Sequence, residues 1–545
     1  MFSFLDKERT VAGPQFNRWL VPPAALAIHL CIGMAYGFSV FWLPLSKAIS
    51  VSQGAAEALK CGPDVSFLQE FFVTQCDWKI STLGWMYTMF FVILGSSAAL
   101  WGGWLERAGP RKAGVVAAFC WGGGMLISAF GISTHQFWIM VLGSGVIGGV
   151  GLGLGYISPV STLIKWFPDR RGMATGMAIM GFGGGAMIGS PLAAFLMKSF
   201  ATPHDIGVTQ TFIVMGIIYF IYMMVGALSY RLPASDWRPS GWQPAIVVGQ
   251  TPLKTTQSVH VSKVWGIPQF WLVWTVLLMN VSAGIGVIGM ASPMLQEIFG
   301  GSLIGVNQKF SELDKSQLSQ IAAIAAGFAA LISLFNIAGR FFWASLSDKL
   351  GRKNTYTLFF ILGGILYFSV PSSASAGQLA LFTAAFCIIL SMYGGGFATV
   401  PAYLADLFGT QMVGAIHGRL LTAWATAGIL GPVVVNYMRD YQLSLGIPRE
   451  QVYNQTMYIL VGMLLVGLIC NLMIKPVKAH WFMTDEELAL EKQLAHEKTL
   501  QTLTAEPKPN TEKSSSLSLW LAWTFVGGPL AWGVYKTFLS ATKLF

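Results

Sequence analysis

Charge is scarce in this sequence. Asp, Glu, Lys and Arg make up 11% of its 545 residues, where a soluble globular chain carries about a quarter. A soluble fold of this length still needs a wet surface, so burial in a core does not account for the deficit. Long charge-free runs do. Residues 19–46, 80–105, 172–197, 207–230, 264–296, 420–438, 451–474 and 517–535 contain no Asp, Glu, Lys or Arg. Each is near or above the ~18–20 residues that cross a bilayer. Tracts 113–164 and 355–405 each hold two spans with a short turn between them, and 320–344 adds another. The reading is twelve spans plus a separate one at the far C-terminus. Catalytic signatures are missing too. There is no phosphate loop ending in Gly-Lys-Ser or Gly-Lys-Thr, no His-Glu-x-x-His motif, and no pair of carboxylates deep in a span. An enzyme is not expected, and no cofactor or metal is implied.

The net charge of +10 does not point to nucleic acid, because of where the cations lie. They cluster in alternate connections: Arg107, Arg111 and Lys112; Lys165, Arg170 and Arg171; Arg231, Arg238, Lys254 and Lys263; Lys349, Arg352 and Lys353. This alternation fits the positive-inside rule, with the N-terminus in the cytoplasm and the loop cations near lipid phosphate. A thirteenth span puts the C-terminus on the periplasmic side. The first run has no small-residue cleavage site after a short apolar core, so it reads as a span. The expected place is the cell inner (plasma) membrane, as a multi-pass protein. Of six cysteines, Cys31, Cys120, Cys387 and Cys470 fall in spans and read as packing. Cys61 and Cys76 share the outside loop 47–79, where a disulfide can form.

The chain repeats itself. WLERAGPRK at 104–112 parallels LSDKLGRK at 346–353, and Pro159, Gly172 and Gly176 parallel Pro401, Gly414 and Gly418. Glu106 and Asp348 are 242 residues apart (348 − 106), and the other pairs keep the same offset. Each half has six spans, so the halves relate by an axis along the membrane normal, with a ligand between them near the midplane. The expected organisation is a first six-helix half at 1–230, a cytoplasmic linker at 231–265, a second half at 266–475, a charged tail at 476–516 and the additional helix at 517–545.

Arg340 lies inside an apolar run, eight residues before Asp348 and so ~12 Å deeper along a helix. An Arg at that depth is costly and faces a cavity or a partner. Its guanidinium forks onto a carboxylate through two parallel hydrogen bonds. The alternative is a structural Arg that satisfies helix carbonyls. Asn336 lies one turn deeper on the same face and could add a donor or hold a neighbouring helix. His29 is the other titratable group deep in a span and a candidate for proton coupling, or else a packing residue. Tyr36, Tyr156, Tyr393 and Trp424 lie inside spans and could wall a small organic ligand or simply pack. Glu106 and Asp348 end the second and eighth spans. Arg107, Lys349 and Arg352 lie beside them, and Asp406 is expected to join Arg352.

The doubled, in-register loop motif resembles the signature of the major facilitator superfamily, with Pro110 where the pattern prefers a base. FNIAGRFFWASLSDKLGRK and HGRLLTAWATAGILGPV further resemble the oxalate/formate antiporter family. The resemblance implies an all-α integral membrane fold of twelve helices, with the last span similar to a one-span small subunit fused to it. It implies secondary transport of small carboxylates by alternating access, as anion exchange or proton symport; the oligomeric state stays open, with a monomer favoured. Glu106 would meet the start of span eleven, with His417 and Arg419 near it, and Asp348 the start of span five. Arg340 matches the family's eighth-span arginine. The family's oxalate exchangers also carry a lysine in span eleven; here Ala423 and Trp424 occupy that region. One deep cation implies a monocarboxylate such as formate, pyruvate or lactate over oxalate. The competing class is a receptor that binds a carboxylate without moving it.

Overall fold

The computed structural model describes residues 3–55, 59, 69, 71–234, 237–242, 253, 255, 257–490, 493 and 515–541. Among them are thirteen helices long and apolar enough to cross a membrane. They are α1 Arg18–Phe38, α2 Thr82–Ala108, α3 Pro110–Ser133, α4 Phe137–Trp166, α5 Arg171–Phe200, α6 Val208–Ser229 and α7 Pro268–Ile304, then α8 Gly327–Leu350, α9 Arg352–Ser375, α10 Leu379–Phe408, α11 Val413–Ser444, α12 Asn454–Met473 and α13 Ser516–Leu539. Helix is the form a span takes when lipid offers its backbone no partners. Phe119, Phe130, Ile365, Phe368 and other large apolar side chains are exposed on the outside of the bundle, as a lipid-facing surface requires.

Local chemistry sets the breaks. α2 and α8 each end at a glycine with positive φ, Gly109 at 88° and Gly351 at 83°, a conformation that L side chains rarely adopt. These glycines are equivalent positions of the repeat, so both halves turn the same way. α3 starts on Pro110 and α7 on Pro268, where a missing N–H is harmless. Asp314 and Gln317 cap the long helix that runs into α8.

The two halves meet along two seams, α2 against α11 and α5 against α8. At the end of the bundle that carries the basic connections, each half is tied by one backbone bridge. Val11 pairs with Leu232 in the first half, and Val259 with Phe482 in the second. α13 stands outside the twelve, against α1, α5 and α8. Val526 is buried with Leu26, Ala27 and Leu30. The Phe525 ring stacks on Tyr222 at 4.1 Å, and Trp523 Nε1 donates to Trp19 O at 3.2 Å. The Trp523 bond is to the first half, while α13 also packs on α8 of the second.

Candidate functional site

Arg340 of α8 is fully buried. Its Nε donates to Asn336 Oδ1 at 3.1 Å and its Nη1 to Ile179 O of α5 at 3.2 Å. Its Nη2 is buried and has no partner among the described residues. The guanidinium lies 5.6 Å from the Phe397 ring centroid. Asn336 accepts from the arginine through Oδ1 and keeps its NH₂ group as a donor.

Around this cation the seams supply aromatic walls. Trp424 of α11 sits 4.5 Å from Phe397, 5.2 Å from Tyr156, 5.2 Å from Phe91, 5.4 Å from Phe182 and 6.3 Å from Tyr36, centroid to centroid. Tyr393 is 5.3 Å from Phe397. The Tyr156 hydroxyl and the indole N–H of Trp424 are buried without partners among the described residues, and the Tyr36 hydroxyl lies beside the Tyr393 hydroxyl and the Arg340 guanidinium. Buried polar groups are normally bonded, and here several lie close to one buried cation. The four aromatic residues expected from the sequence do come together here. Phe91, Phe182 and Phe397 complete the box and were not anticipated; the spacing of Phe397 four residues after Tyr393 was the available signal.

His29 faces the same region from α1. Its Nδ1 contacts Ala178 O, and its Nε2 lies 3.1 Å from Tyr156 O. Both neighbours are acceptors. A neutral imidazole donates through one nitrogen only.

At the basic end two clasps cross the seams. Glu106 Oε1 accepts from Gly414 N at 3.0 Å, where α11 starts, and from Ser161 Oγ at 2.9 Å. Asp348 accepts from Gly172 N at 2.9 Å and Met173 N at 3.0 Å, where α5 starts. Helix N-termini attract carboxylates through their free N–H groups and dipole. A Cβ on Gly172 would stand 2.0 Å from Ala344 O, and one on Gly414 2.5 Å from the Glu106 carboxylate, so glycine permits both approaches. Asp348 also holds Arg352 at 2.5 Å; Arg352 reaches Asp406 at 3.3 Å, and Asp406 meets Arg171 at 3.0 Å. Pro110 stands where Arg352 stands in the repeat, and there Lys165 of α4 supplies the cation, 2.7 Å from Glu106. The two departures from the motif compensate each other. Arg107 and Lys349 are exposed on the turns. His417 and Arg419 follow Gly414 in the first turns of α11. Arg419 donates to Val261 O and lies 5.5 Å over Trp265. His417 turns toward the aromatic box, 5.8 Å from the Tyr156 ring.

At the opposite end Glu297 of α7, unremarked in the sequence, is buried and bound by Arg439, Arg449 and Tyr453. Cys76 is disulfide-bonded; Cys61 lies outside the described residues.

The Major Facilitator Superfamily pattern matches residues 25–432 and 329–544. The chain is 25% identical over 417 residues to the oxalate:formate antiporter of Oxalobacter formigenes, covering 76% of this chain and 83% of that one. It is 24% identical over 456 residues to apicoplast pyruvate carrier 1 of Toxoplasma gondii, covering 72% and 78%. In fold it is similar to a solved proton:xylose symporter, XylE, with TM-score 0.54 and 13% identity, over 87% of this chain and 98% of that one.

Proposed function

This chain belongs to the major facilitator superfamily, and from that premise we propose that it moves small monocarboxylates, of the formate, pyruvate or lactate kind, across the plasma membrane by alternating access. The observation that carries the reading is the buried Nη2 of Arg340, unpartnered among the described residues and beside the Phe397 ring. A buried cation with an unused donor is expensive, and a carboxylate relieves it with a charge-assisted bond. One fixed cation suits one negative charge. The relatives named for oxalate, formate and pyruvate support the same chemical class.

The crossed clasps of Glu106 and Asp348 close the basic end, which the positive-inside rule assigns to the cytoplasm. Asp406, Arg352 and the exposed Arg107 and Lys349 belong to that gate region, and Arg419 ties it to the linker. Transport requires these clasps to open while the outer side shuts. His29 supports proton symport over plain exchange. Only an imidazolium donates to both of its carbonyl neighbours, and a bound carboxylate at Arg340 favours that cation.

Proteoliposomes test the proposal with labelled formate, pyruvate, lactate and oxalate, with and without a pH gradient. Arg340→Ala is expected to abolish carboxylate binding. Arg340→Lys keeps the charge and loses the fork, weakening binding by roughly 30- to 150-fold, about 2–3 kcal/mol. Unchanged binding in Arg340→Ala removes the arginine from the site. Binding without flux of any of the four makes the protein a receptor instead.

A further inference from the structure

We propose that His417 is a second, titratable anion contact of the chamber, and that its protonation sets how many negative charges the substrate carries. The inference rests on the carboxylate reading of Arg340. His417 lies early in α11, is 1% exposed, and neither ring nitrogen has a partner among the described residues. A neutral imidazole there leaves a donor and an acceptor unused, and a ligand in the box is what can reach them.

The internal repeat shows that the frame does not need this side chain. Thr175 is the residue equivalent to His417, and Ala398 is equivalent to Tyr156, each 242 positions away. Thr175 Oγ1 donates to Ala398 O at 2.6 Å. The corresponding acceptor in the other half, Tyr156 O, faces His29 Nε2 at 3.1 Å. His417 is left over by the frame, with its ring toward Tyr156. Depth agrees. Gly176 packs on the Arg340 carbonyl, and Gly418, beside His417, packs on the carbonyl of Ala98, the equivalent of Arg340. Arg340 and His417 thus lie at matching depth, one at each seam.

Elements packed against the start of α11 bring Glu106 of α2, Tyr156 and Lys165 of α4, Asp406 of α10 and Lys263 from the turn before α7. Glu106, Lys165, Asp406 and Lys263 are held in ion pairs of their own. Tyr156 remains, with His29 of α1 against its carbonyl. A neutral His417 leaves Arg340 to bind one carboxylate. A protonated His417 offers a second cation, and a dianion that spans the box restores the charge that burial opposes. The proton enters with the second negative charge.

The test measures oxalate and formate binding to the full chain at pH 5.5 and pH 7.5, a range in which carboxylates are ionised. The ratio of oxalate to formate affinity is expected to rise by about tenfold or more at the lower pH, because oxalate is bound together with a proton and formate without one. His417→Gln should hold the ratio flat while keeping formate binding. His417→Lys should keep it high at both pH values. A wild-type ratio that does not move overturns the proposal, as does a pH dependence that survives in His417→Gln. If formate binds in an Arg340-dependent way and only the ratio stays flat, His417 alone is refuted. If neither anion binds at either pH, the carboxylate reading falls and this proposal with it.

Discussion

Asp348→Asn tests whether the crossed clasps govern one motion. Asp348 accepts two main-chain N–H groups at 2.9 and 3.0 Å and also pairs with Arg352. Asparagine keeps one oxygen, loses the charge, and turns an NH₂ toward a donor. The closed gate then forfeits one charge-assisted bond and weakens another. At about 1.5–3 kcal/mol for a hydrogen bond to a charged group, the closed state loses about 2–4 kcal/mol, or roughly 30- to 800-fold in the closed-to-open ratio. Hydrogen exchange by mass spectrometry on the reconstituted protein reads this at the amides of Gly172 and Met173, which exchange only when their clasp opens. The decisive amide is that of Gly414. It is bonded to Glu106 and has no bond to Asp348. If the halves rock as rigid bodies, its exchange accelerates by a similar factor in Asp348→Asn. Faster exchange at Gly172 and Met173 with an unmoved Gly414 would mean local fraying, and the shared-motion reasoning would be refuted.

Two further outcomes concern the opposite end. Glu297→Gln leaves Arg439 facing a neutral amide where it had a buried carboxylate; a loss of about 3 kcal/mol is expected, seen as a lower thermal unfolding midpoint, and an unchanged midpoint would contradict it. His135 stacks on Trp78 at 4.1 Å with Nε2 on Cys76 O at 2.8 Å, and burial holds its pKa below the ordinary 6.5. The unfolded chain therefore takes up the proton first as pH falls through 6.5. The contribution is complete above that pH and shrinks as pH goes from 7 to 5. Unfolding midpoints at the two pH values should differ more for the wild type than for His135→Gln; equal differences would remove His135 from the effect.

Thirteen spans are legible because charge-free length is what a bilayer imposes. The clasp partners are legible because Glu106, Asp348, Gly172 and Gly414 keep one offset. The chamber is less so. Phe91, Phe182 and Phe397 are three of 37 phenylalanines, and nothing in a uniformly apolar helix tells the lipid face from the seam. His417 lies beside the gate in sequence, but helix rotation aims it at Tyr156. Pro110 and Lys165 read as two separate irregularities until their common contact, Glu106, joins them in space.

The hydrogen bond from Trp523 to Trp19 joins residues 504 positions apart. A chain built from its N-terminus lays down α1 first and α13 last. Until the final helix arrives, Leu26, Ala27 and Leu30 lack the Val526 that covers them. Any product of synthesis that stops short of α13 leaves that patch of α1 bare, so the covered surface of the first helix records that translation has passed α13.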